Sequence, residues 1–264
     1  MPAPSPAGRD AAVEALVERE GARLLAYLRR SCGDGSDAED VAQETFARAV
    51  RAWDRLQDPD RARAWLYTIA RRVCQRLHRR KAGEPARLEP LEALLPRPGA
   101  TLPDLEPAAA GDPHADRLRA EARELVERAL ARLPDPFRQT LVLADVAELS
   151  LAEIAAVTGV REATVKTRLH RARLKLREVL AAGLPARAAT PPAHARRVCL
   201  DLLHAKLEAM DRRAPFPYPD AALCERCRSL LGTLDLIGAT CSSLAAERVS
   251  PELRARIREA TAGA

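Results

Sequence analysis

One stretch constrains the fold most strongly, the segment LSLAEIAAVTGVREATVKTRLHRARLKLREVL at residues 149–180. Ser150, followed three positions later by Glu153, forms the capping-box pattern that opens a helix. Gly159 then marks a tight turn, and an unusually basic second helix follows it. The stretch therefore predicts a helix-turn-helix, in which the second helix can enter the major groove of DNA.

The second helix of this pair separates an apolar stripe from a basic surface. Its apolar residues recur at steps of four and three, which predicts one buried side: Val165, Leu169, Ala172, Leu176 and Val179. The candidates for DNA contacts lie elsewhere on the helix: Arg161, Thr164, Lys166, Thr167, Arg168 and Arg171. Side chains near the helix start can reach base edges, and later basic residues can neutralise phosphates. The alternative is a solvated basic face on an ordinary helix pair.

Length and charge narrow the possible classes. With 264 residues the chain can hold two small domains and a third. Its net charge of +6 suits an anionic partner such as nucleic acid. The sequence has no apolar run of membrane-spanning length and no hydrophobic signal core at its N-terminus. We therefore expect no membrane association, a cytoplasmic location and six reduced cysteines.

The segment SDAEDVAQETFARAVRAW predicts an amphipathic helix with an acidic beginning. Its capping pair is Ser36 with Glu39. The polar residues of its first turns include three candidates for partner binding: Asp40, Gln43 and Glu44. Acidic residues near a helix start can simply stabilise the helix by interacting with the positive end of its dipole. They can also form a docking face for a basic partner.

A third helix, over AWLYTIARRVCQRLHRRK, is basic throughout. No acidic residue occurs between Arg61 and Lys81. Such a run is suited to a phosphate backbone, and each phosphate contact adds roughly 0.9 to the salt dependence of binding. The DNA-contact candidates of this region are the following: Arg61, Arg63, Trp65, Arg71, Arg72 and Arg76. We expect Trp65 to serve mainly in packing and Cys74 to fill the core, and we assign Cys32 no role.

Residues 82–117 predict an extended, semi-rigid linker. Prolines recur through this segment among scattered acids. In polyproline form, at about 3.1 Å per residue, such a linker can span the distance between two DNA sites two helical turns apart.

The C-terminal segment, residues 196–264, predicts a thiolate metal site. The Cys224-x-x-Cys227 pair can hold two corners of such a site. Cys199 could supply a third ligand, and the alternatives for a fourth are His204, Asp220 and Cys241. Zinc, copper and cadmium all accept thiolates, so ligand type does not choose among them. Thiolate chemistry also leaves a redox switch open.

Three motifs together carry a family resemblance. DAEDVAQETFARA, WLYTIARR and LPDPFRQTLVLADVAELSLAEIAAVTGVREATVKTRLHRARLKLRE resemble regions two and four of sigma-70 family RNA polymerase sigma factors. The resemblance is to the short extracytoplasmic-function (ECF) type and covers about residues 10–81 and 118–180. It implies that the chain directs core RNA polymerase to promoters, and it provides no support for an enzyme.

The resemblance also implies roles for the candidate residues. In such factors the DAED helix docks on the β′ clamp, which maps onto Asp40, Gln43 and Glu44, and region four meets the β flap. The loop and helix from Arg61 to Arg76 would open the minus-ten promoter element, and the second helix of the helix-turn-helix would read the minus-thirty-five element. Arg72 replaces the Asn usual in the family, and Ala163 a frequent Gly, so the promoter sequence stays open.

The cysteine segment is similar to two known kinds of domain. One is the zinc-binding domain of anti-sigma factors, in which Asp220 here would replace a histidine. The other is the cysteine-rich extension of ECF sigma factors that sense metal ions and lack a separate anti-sigma partner. A regulatory metal sensor, a static zinc module and a helical extension without metal therefore remain alternatives. No metal is expected to be needed for DNA binding.

The sequence as a whole predicts an all-α protein with three parts. These are a region-two domain at residues 10–81, a helix-turn-helix domain at 118–182 and a small helical cysteine-rich domain at 196–264, with the proline-rich linker between the first two. We expect the last part to pack on the others and control them through its ligand. The alternative function is a stand-alone helix-turn-helix regulator with a ligand-sensing tail.

Overall fold

The computed structural model describes residues 6–32, 35–56, 58–78, 102–103, 113–183, 186–187, 193–246 and 249–262. Most of the predicted linker, residues 82–117, lies outside this part of the chain, so its extended form stays a prediction. No helix in the described ranges combines the length and apolar character needed to cross a membrane.

The described residues form ten α-helices and one short strand pair. The helices are α1 Pro6–Cys32, α2 Gly35–Arg51, α3 Ala62–His78, α4 Pro113–Arg132, α5 Asp135–Leu141, α6 Leu151–Thr158, α7 Glu162–Gly183, α8 Arg196–Arg212, α9 Glu225–Ser243 and α10 Pro251–Ala262. A π-helical turn, Val142–Val146, continues α5, and short 3-10 turns lie at Trp53–Arg55, Pro59–Arg61, Asp220–Ala222 and Leu244–Ala246. Strands β1 Leu102–Pro103 and β2 Ala186–Arg187 pair antiparallel. The predicted all-α class is confirmed.

The chain divides into two compact units by its internal contacts, and the predicted domain boundaries stay a prediction. The first unit consists of Met1–Ala82, Val142–Val165 and Ser242–Ala264, and the second of Gly83–Leu141 and Lys166–Cys241. The final helix therefore belongs to the same unit as α1, α2 and α3. The first part of α7 belongs to the first unit and the rest of it to the second.

The core of the first unit lies between α1, α2 and α3. Leu24, Phe46 and Leu66, one from each helix, are buried, and Tyr27 meets Tyr67 edge to face with 5.5 Å between ring centroids. Trp65 lies outside this core. It is half-buried and packs edge to face against Trp53 with 6.0 Å between centroids, which agrees with its predicted packing role.

The expectation that all six cysteines are reduced was wrong for one pair. Cys32, near the end of α1, and Cys74, in α3, form a disulfide with 5.5 Å between their Cα atoms. Both side chains are buried. The two cysteines are 42 positions apart in sequence, and the packing of α1 against α3 brings them together. Neither the lone position of Cys32 nor the apolar setting of Cys74 indicated this pairing.

The predicted helix-turn-helix is present. The capping box at the start of α6 is complete: the Ser150 backbone N–H donates to a Glu153 carboxylate oxygen at 2.7 Å, and the Glu153 backbone N–H donates to Ser150 Oγ at 3.3 Å. Gly159 ends α6 in the left-handed region with φ of 74°. The backbone N–H of Val165 donates to the carbonyl oxygen of Arg161 at 3.0 Å, which begins α7. Local sequence thus dictates this motif.

Candidate polymerase and promoter surfaces

The acidic beginning of α2 presents two side chains to the last helix of the chain. Asp40 is exposed, and Gln43 is half-buried. Arg256 of α10 donates from Nη2 to Gln43 Oε1 at 2.9 Å and also bonds a carboxylate oxygen of Asp40. Glu44, the third candidate, instead pairs with Arg48 on its own helix. An arginine of α10 is therefore bound to two residues of the predicted docking face.

Helix α10 is seated by apolar and charged contacts. Leu253 and Ile257 are buried, with 1% and 2% of their surfaces exposed. Arg254 pairs with Glu18 of α1 at 2.7 Å, and Arg258 pairs with Glu14 of α1 at 2.7 Å. Exposed ion pairs of this kind contribute little individually. Burial of the two apolar side chains therefore supplies most of the free energy that holds α10 in place.

The basic candidates of α3 fall into two groups. Arg61, Arg72 and Arg76 are exposed, whereas Trp65 and Arg71 are half-buried. Arg63 is committed within the protein: Nε donates to a carboxylate oxygen of Glu20 at 3.1 Å, and Nη1 donates to the carbonyl oxygen of Glu148 at 3.1 Å. Nη2 also donates to the carbonyl oxygen of Ala147. Arg61, Arg72 and Arg76 are therefore the exposed members of this candidate set, and Arg61 also pairs with Asp58 at 3.3 Å.

The promoter-reading candidates on α7 differ in exposure. Arg161 and Thr167 are exposed, and the others are half-buried: Thr164, Lys166, Arg168 and Arg171. The predicted apolar stripe is buried, apart from the half-buried Val179. A further set of polar residues on α7 is also buried: His170, Arg173 and Arg177. Sequence periodicity did not predict burial of these basic groups.

One carboxylate of α8, Asp211, pairs with both of the buried side chains His170 and Arg173. Asp211 accepts from His170 Nε2 at 2.7 Å and from Arg173 Nη1 at 2.6 Å. Its side chain is 4% exposed and that of Arg173 is 2% exposed. Burial alone would raise the pKa of Asp211, but the hydrogen bond from His170 and the charge of Arg173 hold it below its ordinary value.

A second carboxylate of α8 reaches the predicted DNA-reading surface itself. Lys166 Nζ donates to Glu208 Oε1 at 2.9 Å, and this hydrogen bond lowers the pKa of Glu208. Neither Glu208 nor Asp211 is among the site residues that the sequence predicts. Their spacing of three places them on one helix face, which is a weak signal because most such pairs are solvated.

The thiol site gathers three of the six predicted ligands. The sulfur atoms of Cys199, Cys224 and Cys227 all lie within 4.8 Å of one another. His204 and Asp220 are exposed and Cys241 is buried in α9, and none of these joins the cluster. Three thiols this close match the soft donor set that thiophilic metal ions prefer.

The three thiols lie at the beginnings of two helices, α8 and α9. Cys199 lies in the first turn of α8, Cys224 directly precedes α9 and Cys227 lies in the first turn of α9. Burial raises the pKa of Cys227, and the neighbouring thiols Cys199 and Cys224 raise it further. For Cys224, burial is outweighed by hydrogen bonds from Cys227, chiefly its backbone N–H, and the pKa is lowered. The environment therefore favours ionisation of one thiol of the pair over the other.

Family models match two parts of the chain. The description "Sigma-70 region 2" matches residues 16–84, and "Sigma-70, region 4" matches residues 123–176. These two regions in this order define a sigma-70 type of transcription initiation factor. Residues 177–264, which include the thiol site and α10, lie beyond both matches.

Individual relatives agree with this class. SigL, an ECF RNA polymerase sigma factor of Mycobacterium tuberculosis, is 34% identical over 66% of this chain and 92% of its own length. SigE of Mycolicibacterium smegmatis is also 34% identical over 63% of this chain, which spans only 60% of SigE. SigW of Bacillus subtilis is 32% identical over 60% of this chain and 83% of its length. The chain belongs to the ECF family of RNA polymerase sigma factors.

Solved structures give weaker overlap. CnrH in complex with the cytosolic domain of CnrY is 30% identical, covers 67% of this chain and 92% of its own, and has a TM-score of 0.46. The sigma factor RpoE of Bartonella quintana, in complex with the anti-sigma factor NepR, is 22% identical, covers 63% of this chain and 95% of its own, and has a TM-score of 0.43.

Proposed function

We propose that this sigma factor docks on core RNA polymerase through Asp40, Gln43 and Glu44 and that its C-terminal segment controls this docking in response to a thiophilic metal ion. The two matched sigma-70 regions, in order along one chain, support the first part. The cluster of Cys199, Cys224 and Cys227 supports the second. The chemistry of RNA synthesis stays with the polymerase, and the factor supplies promoter recognition.

We assign promoter contacts to candidate residues in both regions. At the minus-ten element these are Arg61, Arg72 and Arg76, because Arg63 is held by carbonyl groups of the protein itself. The half-buried Trp65 and Arg71 are further candidates for contacts at this element. At the minus-thirty-five element the contacts come from Arg161, directly before α7, and from five residues of α7: Thr164, Lys166, Thr167, Arg168 and Arg171.

The number of thiols favours a sensor over a closed structural zinc site. Structural zinc sites are almost always tetrahedral and use four protein ligands, and the described residues bring together three. A three-thiolate site suits soft ions such as copper(I), and it also accepts cadmium or zinc when a further ligand is supplied. Because the segment follows both sigma regions in the same chain, it can take the place of a separate anti-sigma factor.

Run-off transcription tests the proposed function. Core RNA polymerase is mixed with a promoter library, with and without the purified protein, in a series of zinc, copper(I) and cadmium concentrations. Transcripts that depend on the protein, and whose yield changes with one metal, are expected. A stand-alone helix-turn-helix regulator would instead give a specific footprint on duplex DNA without polymerase, and the sigma-70 region 2 match argues against it.

A further inference from the structure

The surface assigned to polymerase docking is occupied by the end of the same chain. Arg256 of α10 bonds both Asp40 and Gln43, and it also approaches Glu39 of the same acidic turn at 3.7 Å. A polymerase helix cannot use these side chains while the arginine holds them. The interaction has the charge pattern of a docking partner, because a basic side chain from α10 meets the acidic start of α2.

One residue of the surface assigned to promoter reading, Lys166, is also paired with a carboxylate of α8. Lys166, His170 and Arg173 follow one another at steps of four and three, so they share a face of α7. Glu208 pairs with Lys166, and Asp211 pairs with both His170 and Arg173. Glu208 therefore stands where a DNA phosphate would be drawn to Lys166, and Asp211 joins α8 to two buried side chains of the same helix.

We propose that the C-terminal segment is a built-in competitor, in which α10 occludes the polymerase-docking face and α8 neutralises the promoter-reading helix. This inference rests on the proposed function and deepens it by naming the contacts through which regulation acts. The fold shown here is then the closed, inactive state. Activation consists of releasing α10 from α2 and α8 from α7.

The thiol site lies at the beginning of α8, one of the two inhibitory helices. Cys199 is in the first turn of α8 and Asp211 in its last turn, about 18 Å apart at the rise of an α-helix. Cys227 is in the first turn of α9, which leads along the chain to α10. An ion that draws Cys199 toward Cys224 and Cys227 changes the angle between α8 and α9. Because α8 is a continuous helix, this change of angle also moves Glu208 and Asp211 relative to α7.

The contacts of α10 are of a kind that a ligand can reverse. The Arg256, Arg254 and Arg258 pairs are partly exposed, so each is weak and screened by salt. A chain whose docking face is free for only a fraction of the time binds its partner with affinity reduced by that fraction. Weakening α10 should therefore raise the apparent affinity for polymerase.

The polymerase arm of the test uses full-length variants and fluorescence-detected binding to core enzyme. Arg256→Glu should bind about tenfold more tightly than the unmodified chain, because the reversed charge faces Asp40. A second variant, Arg254→Ala with Arg258→Ala, loosens α10 from α1 without placing new charge beside the docking face, and it should also bind more tightly. Arg128→Glu on α4, whose arginine pairs with Glu124 of its own helix, is the control for net charge and should leave affinity unchanged.

The DNA arm uses Glu208→Gln and promoter duplex, with anisotropy as the readout. Affinity should rise about two- to fivefold, the range an exposed ion pair can supply. Asp201→Asn removes the same charge from an exposed site on the same helix and should have no comparable effect.

The outcomes separate the two proposals. If the unmodified protein supports run-off transcription but neither α10 variant binds polymerase more tightly, the competitor inference is overturned and the sigma-factor function stands. Tighter binding by Arg256→Glu alone, without the double variant, would reflect local charge and also overturn it. If neither the unmodified chain nor any variant binds core enzyme, the proposed function fails and takes the inference with it.

Discussion

Arg63 of α3 donates from Nη1 to the carbonyl oxygen of Glu148 at 3.1 Å, which ties the sigma region 2 helix to the loop before the helix-turn-helix. The same guanidinium binds the Ala147 carbonyl oxygen and the buried carboxylate of Glu20. Glu148 itself has a positive φ of 57°, which is uncommon for a residue with a side chain. Arg63 therefore donates hydrogen bonds both to the backbone carbonyl groups of a turn and to a buried carboxylate.

Replacing Arg63 with alanine should lower the free energy of unfolding by about 2–3 kcal/mol, because charge-assisted hydrogen bonds are lost and Glu20 is left unpaired. Urea denaturation measures the change. Arg72→Ala removes an exposed arginine from the same helix and should alter stability by less than about 0.5 kcal/mol. If the two substitutions lowered the free energy of unfolding equally, the hydrogen bonds of Arg63 would contribute no particular stability.

Replacing Asp211 with asparagine should destabilise the protein by about 3 kcal/mol. Arg173 is 2% exposed and would lose the charge that compensates it, which is the costly way to break a buried pair. Thermal unfolding followed by circular dichroism gives the measurement. Asp201→Asn, on the exposed side of α8, is the matched comparison and should stay within about 0.5 kcal/mol of the unmodified chain.

The contribution of Asp211 should depend on pH with a definite sign. Its pKa in the folded protein lies below the ordinary carboxylate value of about 4. The stabilisation is therefore complete above that ordinary value and is lost as the pH falls through the folded pKa. The stability difference between the unmodified protein and Asp211→Asn should shrink from pH 6 toward pH 3. A difference that stays constant over this range would contradict the assignment.

Metal binding should need three of the C-terminal cysteines and not the fourth. Serine at position 199, 224 or 227 should abolish the thiolate charge-transfer absorption seen on titration with copper(I) or cadmium, because each sulfur belongs to the cluster. Cys241→Ser should keep the stoichiometry of the unmodified chain, since that thiol is buried in α9 outside the cluster. Equal loss with Cys241→Ser would show that the bound site differs from the one described.

Two glycine substitutions should act in opposite directions. Gly159 has φ of 74°, and a Cβ there would meet no atom within 4 Å, so Gly159→Ala should cost about 1 kcal/mol through backbone strain alone. Gly238 lies within α9, where a Cβ would make an ordinary 3.5 Å contact with Met210 Cε. Gly238→Ala should stabilise the protein by about 0.5–1 kcal/mol. Chemical denaturation of both variants compares the signs.

Sequence alone determined the features that depend on neighbouring residues. Ser150 and Glu153 are three positions apart, so their capping box forms wherever the chain turns helical, and Gly159 follows as the residue that accepts a positive φ. The spacing of Cys224 and Cys227 likewise predicted that two thiols could share one metal site, and their sulfur atoms do lie close together. These signals have short range, and they sufficed for the helices, the helix-turn-helix and the family.

Tertiary structure alone decided which surfaces are covered. Arg256 and Gln43 are 213 positions apart, Arg63 and Ala147 are 84 apart, and His170 and Asp211 are 41 apart. A basic or acidic side chain looks equally solvated in sequence whether or not a distant helix will pack on it, because periodicity reports only which face of its own helix it occupies. The partner of each charge is fixed when the helices pack and bury their apolar sides together.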